Sequence, residues 1–436
     1  MLQSTPAMAG CAPLVSAVTN VLQQKSFARS VSTLAGGSAL AQLIALVSLP
    51  LMTRIFPPPE YGHYVIFMAY AGFFVPISSA RFEVAIVLPR LESSAIALAV
   101  GSLVTVTGTS ALALSLLLMA QAGGFDVCTD GLVLVPLYAL FAGYAQVFTN
   151  LQVRARRFTR LSTSRVLQAF TTAAATLLGG MYYSAHFTTL VWAAILGQLV
   201  GLCFLLPDLD QARSTLQLRP RGVLRLMRHF RKLALFNVPH VLSDAAQSSG
   251  LPLAIGAWFG PQATAFYSFA VRLLKAPLGL VSSSISQVYY PNAAATGNDV
   301  QKLRANAQRM LAMLALGASI LLMSVLCLPD GVYGIVFGAE WAQAGHYIRT
   351  LAPWMLASFV ASPLTVLFLV REKFGLHFAF SLGATLVAFL LLVASHLMKL
   401  MTLDAMLALS FGMTVYIALA VFLEFRVVLG KAATRE

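Results

Sequence analysis

The stretch ATAFYSFAVRLLKAPLGLVSSS, residues 263–284, is apolar and long enough to cross a bilayer, yet it contains two cations, Arg272 and Lys275. A spanning helix needs about 20 apolar residues, and a charge at its centre costs about 2.5–3.5 kcal/mol on insertion scales. Such charges are tolerated where they face a hydrated cavity or meet a counter-charge. Asp244, in the preceding apolar segment, is a candidate counter-charge. The stretch therefore predicts a membrane protein with a cationic site in its interior.

The composition of the whole chain is typical of a polytopic membrane protein. Of its 436 residues, 58% are hydrophobic and 10% are charged, whereas soluble domains carry about 25% charged residues. The formal net charge is +14, but the basic residues occupy short connections between apolar windows, which indicates membrane orientation rather than nucleic-acid binding. The four cysteines lack the spacing of metal ligands. We expect no metal, no cofactor and no nucleic-acid partner.

Windows poor in charge predict an all-α membrane protein with about twelve transmembrane helices. The window 166–207 contains no Asp, Glu, Lys or Arg, and is expected to hold two helices that turn near Tyr183-Ser184-Ala185-His186. The predicted spans are 31–53, 61–80, 94–121, 131–152, 166–184, 187–206, 233–258, 262–283, 308–328, 350–370, 375–396 and 404–424.

Lys and Arg residues set the predicted orientation. With the N-terminus in the cytoplasm, the inner connections carry 24 of the 29 Lys and Arg residues and the outer connections carry three, which satisfies the positive-inside rule. Both termini are then cytoplasmic. The predicted organisation is an N-terminal segment 1–30, a six-helix bundle 31–206, a basic cytoplasmic linker 207–232, a second six-helix bundle 233–424 and a cytoplasmic tail 425–436.

An internal repeat supports the division into two halves. A shift of 202 residues places Leu49-Pro50-Leu51 on Leu251-Pro252-Leu253 and Pro59 on Pro261. Because the shift spans six predicted helices, the two halves are expected to have the same orientation, related by an axis along the membrane normal.

The seventh predicted span carries a polar stripe. Asn237, His240, Asp244 and Gln247 are spaced by three, four and three residues, which places them on one helical face. The stripe is either a hydrogen-bonded seam between helices or one wall of a hydrated cavity, and the ionisable Asp244 favours the cavity. Asp244 and His240 are the candidates for ion coupling. Asn237 and Gln247 are the candidates for contact with a substrate.

The cations at positions 272 and 275 share a helical face because they are three residues apart. One interpretation is structural: Arg272 pairs with Asp244, and Lys275 extends to the membrane surface. The other is a phosphate-binding site, since a guanidinium matches the geometry of phosphate and an ammonium supplies a point charge. Arg81, near the inner end of the second span, either forms an interfacial salt bridge with Glu83 or adds a cation to the mouth of the cavity.

Enzyme motifs do not occur in the sequence. It has no P-loop, no GxSxG and no HExxH. The chain is therefore expected not to be an enzyme, and transport would be driven by an ion gradient or by the gradient of the substrate itself.

Three parts of the sequence resemble the polysaccharide-transport family of flippases, within the multidrug/oligosaccharidyl-lipid/polysaccharide exporter superfamily. The first part is LAGGSALAQLIALVSLPLMTRIFPPPEYGHYVIF, residues 34–67, followed by RFEVAIVLP, residues 81–89. The other two are FGPQATAFYSFAVRLLKAPLGLVSSSISQVYYP, residues 259–291, and FGAEWAQAGHYIRTLAPW, residues 337–354.

The resemblance implies two six-helix bundles around a central cavity in the bacterial inner membrane. It implies, as the substrate, an oligosaccharide on an undecaprenyl diphosphate carrier, moved from the cytoplasmic to the periplasmic leaflet for the synthesis of O-antigen or exopolysaccharide. A polysaccharide polymerase and a chain-length regulator are the implied partners. The alternatives are a cation-coupled multidrug exporter, which the deep cations disfavour, and a membrane-embedded polymerase or glycosyltransferase, which the short outer connection 329–349 disfavours.

Overall fold

A computed structural model describes residues 32–124, 131–206, 220–295, 300–362 and 374–429. Within these ranges the chain is almost entirely helical and contains no strand. The helices are α1 (32–47), α2 (Leu49–Ile55), α3 (Pro58–Ser78), α4 (Glu92–Ala122), α5 (Val135–Arg154), α6 (Phe158–Tyr182), α7 (Phe187–Leu205), α8 (Pro220–Ala245), α9 (Leu251–Ala295), α10 (Val300–Cys327), α11 (Asp330–Phe337), α12 (Ala344–Ala361), α13 (Phe374–Leu397) and α14 (Thr402–Leu429).

Seven helical segments of the described chain are long and apolar enough to cross a membrane. The chain is therefore a multi-pass membrane protein. Each predicted span overlaps a helix of the structure, although the number of spans stays a prediction. The seven segments are Ser32–Ile55, Glu92–Ala122, Leu132–Arg154, Phe187–Leu205, Gln308–Cys327, Phe378–Leu397 and Thr402–Leu423.

The two members of the sequence repeat interrupt their helices at the same place. α1 ends in a turn at Ser48, directly before Leu49-Pro50-Leu51. In the second half, the π-helical turn Ala246–Gly250 ends directly before Leu251-Pro252-Leu253. Proline lacks an N–H and its ring crowds the preceding turn, so a regular helix is disfavoured just before it.

The two halves share a second helix break further along the chain, and they contact each other at this break. α2 ends at Ile55 and α3 begins at Pro58, while α9 is non-helical at Gly260 (φ 86°, ψ 171°), directly before Pro261. Gly62 of α3 lies against that break, since a Cβ at this position would overlap the carbonyl oxygen of Pro261. α3 and α9, which are equivalent under the repeat, therefore pack closely against each other.

Two connections test the sequence reading directly. The predicted turn at 183–186 is confirmed, since α6 ends at Tyr182 and α7 begins at Phe187. The segment 207–232, expected to be a linker, differs in its second part, because α8 already begins at Pro220. Proline is well suited to the first turn of a helix, and the Arg and Leu residues that follow have high helix propensity. Residues 207–219 lie outside the described residues.

The main hydrophobic cluster joins the halves at one end of the bundle, which we call the Trp341 end. Trp341 is fully buried, and its ring contacts those of Tyr61 and Phe266. Its indole N–H donates to the carbonyl oxygen of Phe56 at 3.2 Å. α3 starts at this end and runs for 21 residues, or about 30 Å, so Arg81 lies at the opposite end, which we call the Arg81 end.

Candidate functional site

Three adjoining cavities lead from the Arg81 end to the middle of the bundle. The first, of about 640 Å³, is lined by Arg81, Arg165 and Gln168. The second, of about 340 Å³, shares Arg165 and Gln168 with the first and reaches Arg272. The third, of about 410 Å³, shares Arg272 with the second and contains Lys275. Because neighbouring cavities share wall residues, they adjoin one another, and we refer to the three together as the central cavity.

Arg272 lies where the second and third cavities meet. Its Nη1 is 3.5 Å from the hydroxyl of Tyr61, and its Nη2 is 3.5 Å from the carbonyl oxygen of Ala45. Both acceptors are neutral, and both distances are at the long limit for a hydrogen bond. Within the described residues, Arg272 forms no ion pair with a carboxylate. The guanidinium of this second-half residue is therefore held by two groups of the first half, and no carboxylate of the described residues neutralises it.

The structural interpretation, in which Arg272 pairs with Asp244, is not observed among the described residues. Asp244 is exposed and is not part of the wall of the third cavity, whereas Gln247 is part of it. The reason is the π-helical turn Ala246–Gly250, which adds a residue to the turn and breaks the regular spacing that the stripe assumed. The side chains of Asn237 and His240 lie outside the described residues.

Lys275 lies one turn from Arg272 on α9 and lines the same third cavity, as their spacing predicted. The residue is exposed and forms part of the wall of that cavity. Gln247 and Ser248 face it from the π-helical turn, and Trp354 of α12 completes this part of the wall. The arrangement combines a cation with hydrogen-bonding groups and an aromatic surface.

Arg81 forms a salt bridge with Glu83 and also lines the cavity, so the two alternatives that the sequence left open for this residue occur together. Nη1 of Arg81 is 3.1 Å from Oε1 of Glu83, so the salt bridge is present. The two side chains also line the first cavity, so Arg81 faces inward as well. Glu83 belongs to a short 3-10 helix, Phe82–Val87, that follows α3 and is fully buried there.

The charge balance of the central cavity favours an anion. The described residues of its wall include the cations Arg81, Arg165, Arg272 and Lys275, against one carboxylate, Glu83. Electrostatic interactions are stronger inside a protein than in water, so these cations attract negative charge over the whole length of the cavity.

Comparison with known proteins shows the family of this chain. Residues 51–346 match the sequence profile of a family described as "Polysaccharide biosynthesis protein". The chain belongs to the polysaccharide biosynthesis protein family. A comparison with curated proteins finds no match.

Solved structures show which fold this family member has. The lipid II flippase MurJ, in an inward closed conformation, superposes with a TM-score of 0.66 at 12% identity, over 91% of this chain and 89% of MurJ. A multidrug resistance MATE family transporter of the MOP superfamily, in an inward-facing conformation, gives 0.60 at 13% identity, over 92% and 95%. An outward-facing conformation of such a transporter gives 0.56 at 14% identity, over 93% and 97%. The polysaccharide biosynthesis protein therefore has the transporter fold of the MOP superfamily, which confirms the resemblance read from its sequence.

One cation of this polysaccharide biosynthesis protein was missed as a cavity residue. Arg165 counted only as a basic residue of an inner connection, yet it lines two cavities and donates to the hydroxyl of Ser38. Gln168, one turn further along α6, shares both cavities and donates from its amide to Gln198. The sequence offers one signal for this pair: Arg165 and Gln168 are three residues apart, so they share a helical face at the start of the long charge-free window 166–207.

Proposed function

We propose that this protein is an inner-membrane flippase for an oligosaccharide linked to undecaprenyl diphosphate, and that it moves the substrate from the cytoplasmic to the periplasmic leaflet by alternating access. The observation that carries the proposal is Arg272, whose guanidinium lines a cavity inside the bundle and, among the described residues, contacts two neutral acceptors and no carboxylate. A diphosphate diester carries two negative charges, and guanidinium groups bind phosphate oxygens in a bidentate manner. Such a group would supply the missing counter-charge.

The predicted orientation gives the proposal its direction. It puts the Arg81 end in the cytoplasm and the Trp341 end in the periplasm, with both termini cytoplasmic. The largest of the three cavities lies at the Arg81 end, whereas packing between Trp341, Tyr61 and Phe56 closes the opposite end. A substrate made in the cytoplasm would enter through the Arg81 end, and release would require the Trp341 end to open.

Each candidate residue has a role in this proposal. Arg272 and Lys275 would hold the diphosphate, and Arg81 would bind it at the cavity mouth. Gln247, together with Asn237, would hydrogen-bond the hydroxyl groups of the sugar. Asp244 and His240 remain the proposed ion-coupling residues, since both lie on α8, which leads into the π-helical turn beside the cavity.

The same geometry weighs against the alternatives. A site for organic cations would need an excess of buried acids, whereas the described wall has more cations than carboxylates. A polymerase would be expected to carry catalytic groups in a large outer connection. The connection 329–349 instead folds into α11 and a 3-10 turn whose Trp341 packs against the first half.

A complementation experiment tests the proposal. The gene is replaced by variants, and surface polysaccharide is measured together with the lipid-linked sugar retained inside the cell. Arg272→Ala should abolish export with normal amounts of protein in the membrane, and Arg272→Lys should retain part of it. Arg426→Ala is the matched control, because this exposed arginine stacks on Phe422 of α14, away from the cavity. Normal export by Arg272→Ala would contradict the proposal.

A further inference from the structure

Arg81 and Glu83 form an incompletely satisfied ion pair in the wall of the first cavity. The Glu83 side chain is 2% exposed and that of Arg81 is 21% exposed. Within the described residues, both carboxylate oxygens of Glu83 and Nε of Arg81 are buried without a hydrogen-bond partner. The 3.1 Å contact therefore satisfies the charges but not the hydrogen bonds. A buried ion pair is strongly stabilising only when its remaining lone pairs and protons are also bonded.

The backbone that carries the pair is strained. Ala80 and Arg81 are consecutive non-glycine residues with left-handed backbone angles, φ 47° and φ 61°. Such conformations cost about 1–3 kcal/mol each and cluster at ligand clamps and switches. The Arg81 N–H is held by the hydroxyl of Ser79 at 3.3 Å, and the 3-10 helix Phe82–Val87 continues from there. With this backbone conformation, both side chains lie in the wall of the first cavity.

Other helices that carry charged groups surround the 3-10 helix. α4, α5 and α8 pack against it. Arg154 of α5 donates to the carbonyl oxygens of Ile86 and Val87. In the described part of the chain, Arg81 alone forms an ion pair with Glu83. The remaining charged or titratable side chains described on these helices and in the same cavity are Glu92, Tyr138, Tyr144, Arg165, Arg221, Arg225, Arg228, His229, Arg231 and Asp244.

We propose that Glu83 is an internal competitor for the anionic substrate. In the empty protein its carboxylate occupies Arg81, and a phosphate group that binds Arg81 displaces it. The displaced carboxylate is then buried without a cation, so it takes up one proton from the cytoplasmic solution and becomes a neutral carboxylic acid. Binding of the dianion is thereby coupled to proton uptake. This inference rests on the proposed function.

The exchange keeps the buried charges paired in both states. Before binding, Arg81 is neutralised by Glu83; after binding, it is neutralised by phosphate while Glu83 carries the proton. An unpaired buried charge is strongly unfavourable, and either the empty or the loaded protein can therefore close around this site. Glu83 would therefore keep the charge of Arg81 paired while the empty protein returns to the conformation that accepts substrate.

Calorimetry on the full-length protein in lipid nanodiscs tests the inference. The probe is farnesyl diphosphoglucose, a diphosphate diester whose two charges do not titrate near neutral pH. Heats of binding in buffers of different ionisation enthalpy give the protons taken up per bound probe. The wild type should take up about one proton and bind more tightly as the pH falls. Glu83→Gln should bind about five- to tenfold more tightly near neutral pH, with no proton uptake and no dependence of affinity on pH.

Control variants separate the competing explanations. Glu83→Asp should keep proton uptake because it keeps the carboxylate. Glu60→Gln should keep it as well, because the Glu60 carboxylate lies outside the central cavity and accepts a hydrogen bond from the Phe187 N–H. Unchanged or weaker binding by Glu83→Gln, or no proton uptake by the wild type, would overturn the inference. Suppose that Arg272→Ala no longer binds the probe but Glu83→Gln still takes up a proton. The proposed coupling through Glu83 is then wrong, whereas the flippase proposal stands because Arg272 is still required for binding. If the wild type does not bind the probe, both fail.

Discussion

Replacing Trp341 should shift the protein toward a state that is open at the Trp341 end. The indole is fully buried between the halves, and replacing a buried tryptophan with alanine costs about 3–5 kcal/mol in total. Only contacts that cross between the halves affect the opening equilibrium. These are the edge contact with Tyr61 and the hydrogen bond to Phe56, whereas the contacts with Phe266 and Phe269 lie within the second half.

The magnitude follows from the two crossing contacts. An edge-to-face aromatic pair contributes about 1 kcal/mol, and a hydrogen bond contributes about another 1 kcal/mol. Trp341→Ala should therefore raise the ratio of open to closed protein about thirtyfold. Trp341→Phe keeps the aromatic contact and loses the hydrogen bond, so it should raise the ratio only about fivefold.

Distances between spin labels measure this ratio. Labels on cysteines at Tyr183 and Met401, which are 88% and 78% exposed, would report the separation of the halves at the Trp341 end after the native cysteines are replaced. The population with a long distance should rise in Trp341→Phe and rise further in Trp341→Ala. The matched control is Trp192→Ala, since this tryptophan of α7 is half-exposed. A folded Trp341→Ala protein with the wild-type distance distribution would show that these two contacts do not hold this end closed.

Three further predictions concern packing, coupling and charge. Gly62→Ala, whose Cβ would overlap the Pro261 carbonyl, should lower the stability of the protein by about 1–3 kcal/mol. Gly108→Ala, with open space around its Cβ, should leave the stability unchanged. Equal melting temperatures of the two variants in detergent would contradict the close packing of Gly62. Asp244→Asn should alter the pH dependence of export, and an unchanged profile would remove its coupling role. Arg165→Gln should weaken binding of farnesyl diphosphoglucose about tenfold by removing a cavity cation, whereas unchanged affinity would place Arg165 outside the site.

The positions of the helices were predictable because the membrane imposes a simple rule. Every backbone polar group in lipid must be satisfied within a helix, so charge-poor windows of the right length mark helices directly. The turn before Phe187 followed from the same rule, since one helix could not fill the long window 166–207. The helices depend on local patterns of this kind, which can be recognised directly in the sequence.

Details of the site depend on tertiary geometry and were less predictable. The polar stripe assumed a regular helix, and the π-helical turn Ala246–Gly250 placed Gln247 in the cavity wall without Asp244. Arg165 was hidden among basic residues that orient the protein, because spacing alone does not separate a cavity cation from a surface cation. The burial of Glu83 depends on a strained turn that no pattern in the sequence indicates.

The proposed function depends most directly on Arg272, which we propose receives the diphosphate of a lipid-linked sugar. A cryo-electron microscopy map of the protein with farnesyl diphosphoglucose measures this directly. We expect density for the two phosphates within hydrogen-bond distance of the Arg272 guanidinium, with Lys275 beside them. Phosphate density elsewhere, with Arg272 still directed at Tyr61 and Ala45, would contradict it.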